Sequence, residues 1–212
     1  GAVEEKMKSE RFKAELITNV SHDLKTPLTS IINYVNLLKM EEVENPKARE
    51  YIEVLDRKSQ RLKKLTEDLV EASKASTGAL TVNREKIGMC QLVENLEARK
   101  LTVVPSLPEG ETDVYADGRH LWRVIDNLLG NCAKYAMEGT RIYLELVRGK
   151  GQVTLSIKNI SRDPLNVPPE RLMERFVRGD ESRTTEGSGL GLSIARSLTE
   201  LQGGTFELAV DG

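Results

Sequence analysis

Residues able to carry phosphoryl chemistry stand close together near the start of the chain. His22 is followed directly by Asp23, and the hydroxyl of Thr26 comes four residues after the histidine, one helical turn away. A histidine, an adjacent carboxylate and a nearby hydroxyl are typical of phosphoryl transfer on an imidazole. On these residues alone an inert surface histidine is the simpler interpretation, so the prediction depends on a phosphoryl donor site elsewhere in the chain.

A second polar group interrupts an apolar stretch in the middle of the chain. Asn127 and Asn131 are four residues apart and therefore share a helix face, and Lys134 follows one turn later. A carboxamide oxygen can bind a hard cation such as Mg²⁺, which keeps most of its waters, and a lysine can neutralise phosphate charge. Polar helix-surface residues without a ligand explain the same pattern equally well, and both interpretations stay open on these residues.

A glycine-spaced loop precedes the last predicted helix. Gly187, Gly189 and Gly191 alternate with other residues just before the apolar run that ends at Leu201. Glycines let a backbone approach phosphate closely, and the N-terminus of a helix favours anions. The motif is weak by itself, and no βαβ unit precedes it, which argues against a dinucleotide-binding fold.

Two amphipathic helices are predicted to carry the histidine. Apolar residues recur at intervals of one, three or four from Phe12 to Met40, and an apolar seam returns from Ile52 to Leu69 after a polar break. Pro46 fits the first turn of the second helix. Two helices bury such stripes poorly, so the hairpin is expected to form a homodimer with a four-helix bundle.

The pattern changes after Gly78 to short apolar alternations with glycines and prolines, which indicates a second domain. The sequence therefore predicts a helical hairpin over 1–77 and a second domain over 80–212, in the α+β class. Strands are expected at 101–104, 140–147 and 152–157, and helices at 119–136, capped by Asp117, and at 190–201.

Composition and charge narrow the class of protein. The 31 basic and 33 acidic side chains are interleaved, so the chain lacks the basic surface of a nucleic-acid binder. Cys90 and Cys132 are too few and too far apart for a disulfide framework or a cysteine metal site, which indicates a reducing, cytoplasmic setting. No apolar run reaches the roughly 20 residues of a membrane-spanning helix. The chain is expected to be a piece of a longer protein, linked to a membrane only through sequence outside it.

Four motifs occur in an order that resembles the core of sensor histidine kinases of two-component systems. They are His22-Asp23-x-x-Thr26-Pro27, the block from Asn127 to Tyr135, Glu174-Arg175-Phe176-x-Arg178, and the loop from Gly187 to Ala195. The similarity covers nearly the whole chain. It implies a dimerisation and phosphoacceptor hairpin followed by an ATP-binding α/β sandwich with a mixed sheet, of the kind found in type II topoisomerases and some chaperones.

The resemblance assigns roles to individual residues. His22 would attack the γ-phosphate of ATP, Asp23 would orient or deprotonate its ring, and Thr26 would position water for dephosphorylating the receiver domain of a response regulator. In the nucleotide site Asn131 would bind Mg²⁺, with Asn127 beside the phosphates. The remaining nucleotide-binding candidates are Lys134 and Tyr135 along the nucleotide, Phe176 as the anchor of a lid, Arg178 near a phosphate, and Gly187, Gly189, Leu190 and Gly191 in the loop.

One position departs from the family pattern. After the strand at 153–157 the family has Asp-x-Gly-x-Gly, whose aspartate binds the adenine amino group, whereas this chain has Asn-Ile-Ser-Arg-Asp beginning at Asn159. Asn159 keeps an acceptor oxygen but loses the charge, so weaker nucleotide binding is expected. A catalytically degenerate signalling scaffold is therefore the alternative to an active kinase, and an ATP-driven clamp is disfavoured because it has no use for His22. Packing roles are assigned to His120, Trp122 and Cys132.

Overall fold

The chain folds into two compact units, Gly1–Leu80 and Thr81–Gly212. A computed structural model describes residues 2–94, 103–149, 151–165, 167–174 and 189–210, with side chains at residue 17 and from residue 19 onward, except at 103. Among the helices in these ranges, none is both long and apolar enough to cross a membrane.

The first unit is the predicted helical hairpin. Helix α1 (Ala2–Met40) continues through Pro27, and helix α2 (Pro46–Ser76) returns along it. Asn45 caps α2, because its side-chain oxygen accepts from Lys47 N at 2.9 Å, and the proline occupies the first turn as expected. The two helices bury an apolar seam between them that includes Leu28, Val35 and Ile52.

The described residues of the second unit form five strands in two sheets. They are β1 (Glu85–Gly88), β2 (Val103–Ser106), β3 (Asp113–Ala116), β4 (Ile142–Gly149) and β5 (Gln152–Lys158). Strands β1 and β3 pair antiparallel, whereas β2, β4 and β5 form a second sheet in that order, with β2 parallel and β5 antiparallel to β4. The predicted mixed sheet is therefore confirmed.

Helices cover one face of the sheet formed by β2, β4 and β5. Besides the short α3 (Met89–Glu94) and α5 (Pro169–Leu172), the unit has α4 (Gly118–Tyr135) and α6 (Gly191–Leu201), which pack against each other. Ile125, Leu129 and Cys132 of α4 meet Ile142 and Leu144 of β4 in a buried core. The inward residues of β4 alternate with exposed ones, as a half-buried strand requires. The expected class, a helical hairpin followed by an α/β sandwich, is confirmed.

Some elements differ from the expectation. Helices α4 and α6 and strands β4 and β5 agree with the predicted ranges to within two residues, and β2 continues through Pro105 to Ser106, two residues beyond its predicted end. A proline is tolerated there because β2 is an edge strand among the described residues of its sheet. Strands β1 and β3 were not predicted, since four residues give too little alternation to register as a pattern.

Candidate active site

His22 and Asp23 lie on the exposed surface of α1. Their side chains are 83% and 87% exposed, and Nδ1 of His22 is 3.9 Å from Oδ1 of Asp23. This distance is too long for a hydrogen bond, but it puts the carboxylate on the Nδ1 side of the ring and leaves Nε2 free to meet another molecule. Thr26 is also exposed, one turn further on. Ser21 and Leu28 are buried, so they lie on the packed side of the helix.

The two asparagines of α4 meet the start of α6. A Cβ placed on Gly191 would lie 3.6 Å from Oδ1 and 3.7 Å from Nδ2 of Asn131, and 4.0 Å from Cβ of Asn127. Residues far apart in the chain are thus brought together, because α4 and α6 pack side by side. Because Gly191 has no side chain, the space between it and the two asparagines stays open.

The carboxamide of Asn127 needs a partner that the described residues do not supply. Its Nδ2 is buried and has no hydrogen bond within the described ranges. An unpaired buried donor costs about 1–3 kcal/mol, so the nitrogen suits an oxygen brought by a ligand, such as a phosphate oxygen. This arrangement fits a nucleotide binding between α4 and α6.

The side chain of Asn131 fits a magnesium ion that arrives with a nucleotide. Its carboxamide is half-buried beside Gly191, and a carboxamide oxygen is a suitable ligand for a hard cation. No group of three His, Cys, Asp or Glu side chains able to hold a metal occurs in the part of the chain that the structure describes. A magnesium ion that keeps most of its waters would require no such group.

The beginning of α6 is suited to bind an anion. Gly189 has a φ of +67°, a conformation that favours glycine, and the buried Leu190 anchors the turn before the helix. Among the described residues no side chain caps the first turn of α6, and the start of a helix favours anions. Three further candidates, Phe176, Arg178 and Gly187, lie outside the described residues, and their roles stay predictions.

The last turn of α4 carries the remaining candidates. Lys134 is exposed and Tyr135 is half-buried. The segment after β5 runs beside this turn, with Met137 N donating to Ile160 O and Arg162 N donating to the carbonyl of Tyr135, both at 2.8 Å. This pairing brings the residue just before it, Asn159, close to α4.

Cys132 contacts Asn159 directly, which the sequence did not predict. The thiol is buried, as its packing assignment requires, and Sγ donates to Oδ1 of Asn159 at 3.4 Å. Burial raises the pKa of the Cys132 thiol to about 11, so the sulfur carries its proton and can donate. No spacing rule links these positions, because the contact depends on the return of the chain through β4 and β5.

Asp117, whose carboxylate is buried, joins the other ends of α4 and α6 through its backbone N–H. Asp117 Oδ1 accepts from Arg119 N at 3.0 Å and His120 N at 3.4 Å, and Oδ2 accepts from Asn83 N at 2.9 Å and Arg119 Nη2 at 3.2 Å. Its backbone N–H donates to Gln202 Oε1 at 2.7 Å. The guanidinium of Arg119 and the N–H of Asn83 hold the pKa of Asp117 well below its usual range. The sequence predicted the helix cap but not this wider network.

Two family models match the chain. The model of the His Kinase A (phospho-acceptor) domain matches residues 12–78, the range that holds His22. The model described as histidine kinase-, DNA gyrase B-, and HSP90-like ATPase matches residues 116–211, the range that holds the asparagine pair and the glycine loop.

Sensor proteins from several bacteria are similar to the chain. It is 30% identical over 215 residues to the sensor histidine kinase WalK of Bacillus subtilis, covering 95% of this chain and 35% of WalK. It is 33% identical over 212 residues to the sensor protein VanSC of Enterococcus gallinarum, covering 92% of this chain and 57% of VanSC. The chain therefore spans less than two thirds of these relatives. The fold is also similar to a crystal structure of full-length ShkA in complex with AMPPNP, with a TM-score of 0.74 and 21% identity over 89% of this chain and 41% of ShkA.

Proposed function

Because the chain belongs to the sensor histidine kinases of two-component systems, we propose that it uses ATP and Mg²⁺ to phosphorylate its own His22 and passes the phosphoryl group to a response regulator. The observation that carries the proposal is the exposed imidazole of His22, with its Nδ1 directed at Asp23. A histidine this exposed contributes little to packing, and its ring is accessible to a nucleotide.

The reaction at His22 takes two steps. The lone pair on Nε2 attacks the γ-phosphorus of ATP, the bond from this phosphorus to the bridging oxygen breaks, and ADP leaves with the electron pair. A carboxylate oxygen of the receiver aspartate then attacks the phosphorus, the N–P bond breaks, and the imidazole is restored. Asp23 accepts a hydrogen bond from Nδ1–H after a small rotation, which keeps the reactive lone pair on Nε2 and stabilises the charge on the ring.

The nucleotide binds between α4 and α6 in this proposal. Asn127 Nδ2 donates to a phosphate oxygen, which pairs its buried nitrogen, and Asn131 Oδ1 binds Mg²⁺. When bound, the metal neutralises phosphate charge. The backbone around Gly191 provides N–H donors. Proposed further contacts come from Lys134, Tyr135, Asn159, Phe176, Arg178, Gly187, Gly189 and Leu190.

A second copy of the chain completes the helical unit in this proposal. Large apolar side chains remain about half exposed on both helices of the hairpin, among them Val20, Leu24 and Ile31 on α1 and Leu55 and Leu62 on α2. A four-helix bundle formed by two hairpins covers such stripes. Replacing both Leu55 and Leu62 by glutamate is expected to give a monomer by light scattering, and a dimer of unchanged stability would contradict the bundle.

The proposal extends to a reverse activity and to location. The exposed Thr26, one turn from His22, positions water for dephosphorylation of the receiver domain. The core works in the cytoplasm, and any link to a membrane lies in sequence outside this chain. Two free cysteines, Cys90 and Cys132, support a reducing compartment.

A labelling experiment tests the kinase proposal. The chain incubated with Mg²⁺ and ATP labelled at the γ-phosphate is expected to acquire acid-labile label, and His22→Ala is expected to abolish it. The chain has two histidines, so His120→Gln is the matched control and should keep the label. Label retained in His22→Ala would refute the assignment. A folded wild-type chain without label would favour the non-catalytic scaffold instead.

A further inference from the structure

The contact between Cys132 and Asn159 has a direction. The thiol donates and the carboxamide oxygen accepts, at 3.4 Å. Oδ1 of Asn159 is therefore turned toward α4, and the end of the carboxamide that remains for other partners is Nδ2, which can only donate. An aspartate at this position would keep an acceptor oxygen on that side whichever way it turned.

The surrounding structure holds this contact in place. Cys132 is 6% exposed and packs in the core with Ile125, Leu129 and residues of β4, so its sulfur has little freedom to move. The backbone after Asn159 is fixed to the end of α4 by the two hydrogen bonds to Ile160 and from Arg162.

The orientation of this carboxamide matters for purine recognition. Adenine carries an amino group at C6, which donates, whereas guanine carries a carbonyl oxygen at the same place, which accepts. A donor facing this edge of the base repels the adenine amino group and suits the guanine oxygen.

We propose that Cys132 is a positioning residue that turns Asn159 so that its amide nitrogen faces the base, and that this chain therefore discriminates only weakly between ATP and GTP. The inference rests on the proposed function, because Asn159 faces a base only if a purine nucleotide binds in the site between α4 and α6. A neutral hydrogen bond changes an equilibrium constant by about two- to tenfold. Releasing the carboxamide of Asn159 is therefore expected to change the affinity for the nucleotide by no more than this factor.

Titrations of the full chain with Mg²⁺-ATP and Mg²⁺-GTP test the proposal. The wild-type affinities are expected to lie within about tenfold of each other. Cys132→Ala frees the carboxamide to turn, so the affinity for ATP rises by about two- to tenfold while that for GTP stays the same. Cys132→Ser keeps a donor and restores the wild-type ratio. Cys90→Ala, which removes the other free thiol, leaves the ratio unchanged.

A double variant separates positioning from a packing effect. In Asn159→Asp either oxygen can face adenine, so adding Cys132→Ala leaves the ratio of ATP to GTP affinity unchanged in that background. Two results would overturn the positioning role while the kinase proposal stands. In the wild-type background, Cys132→Ala would leave the ratio of ATP to GTP affinity unchanged, or it would weaken the binding of both nucleotides in parallel. A folded wild-type chain that binds neither nucleotide overturns the proposed function, and this inference with it.

Discussion

Replacing Asp117 by asparagine removes the acceptor that ties the segment before β1 to α4. Asparagine keeps an oxygen at the Oδ1 position, so the helix cap survives. At the Oδ2 position its amide nitrogen meets two donors instead, Asn83 N–H and Arg119 Nη2, which lie 2.9 and 3.2 Å from the native oxygen. Two hydrogen bonds are exchanged for two donor–donor contacts with almost no change of shape.

The expected loss of stability follows from these two bonds. An N–H group such as that of Asn83, left unpaired at a buried carboxamide nitrogen, costs about 1–3 kcal/mol. The Arg119 side chain is 76% exposed and turns to water, so its bond adds little. We therefore expect Asp117→Asn to lower the free energy of unfolding by about 2 kcal/mol and the midpoint temperature by about 6–10 °C. Asp117→Ala also removes the cap, for roughly 1 kcal/mol more.

The same interactions predict a dependence on pH. The pKa of Asp117 in the folded chain is lowered by Arg119 and Asn83 relative to about 4 in the unfolded chain. A group with a lowered folded-state pKa stabilises the fold above its unfolded pKa, and this stabilisation is lost as pH falls through the folded value. The difference in stability between wild type and Asp117→Asn is therefore constant from about pH 8 to pH 5 and shrinks below about pH 4.

Fluorescence of the single tryptophan provides the assay. Trp122 lies in α4, so its emission during thermal or urea unfolding of the full chain reports on the α/β unit. The matched control is Asp113→Asn, which breaks an ion pair between Asp113 and the exposed Lys86 and should leave the midpoint unchanged. An Asp117→Asn midpoint equal to that of this control would refute the reasoning.

Three further variants test the proposed site. Asn131→Ala should lower the affinity for Mg²⁺-ATP at least about tenfold in calorimetry and leave that for magnesium-free ADP nearly unchanged, because it removes a metal ligand; equal losses would contradict this role. Gly191→Ala places a methyl group 3.6 Å from Asn131 Oδ1 without overlap, so the unfolding midpoint should stay unchanged. The methyl group fills space beside Asn131, so ATP binding should weaken. Gly130→Ala is the control, because its Cβ meets open space, and this variant should bind ATP normally. Thr26→Ala should slow dephosphorylation of a receiver domain at least about tenfold and leave His22 labelling intact, and parallel loss of both activities would argue against a role specific to water positioning.

Local patterns were sufficient to predict the long elements. The apolar periodicity of α1 and α2 extends over many turns, and Asp117 directly before α4 is a local cap signal, so these elements could be predicted from sequence alone. Strands β1 and β3 could not, because each has four residues and depends on pairing with the other across the fold. Propensity does not encode such pairing.

The candidate site also combines features that the sequence predicted with contacts that it did not. The resemblance assigned Asn131 and Gly191 to one nucleotide site, and the two helices that carry them were predicted. The hydrogen bonds from Cys132 to Asn159 and from Asp117 to Gln202 were not, since each joins residues whose separation in the chain carries no periodic signal. These contacts arise from tertiary packing and become visible only in three dimensions.

The hydrogen bond from Asp117 to Gln202 ties together the two helices of the candidate site at the ends remote from Asn131 and Gly191. It joins the start of α4 to the end of α6, while Asn131 and Gly191 meet at their opposite ends. At 1.5 Å per residue, Asn131 is roughly 21 Å along α4 from Asp117, so a rotation of α4 by about 3° about that end would move Asn131 by about 1 Å. Such a displacement is enough to make or break a hydrogen bond. The hydrogen bond at the far end of both helices therefore helps to fix the distance between Asn131 and Gly191.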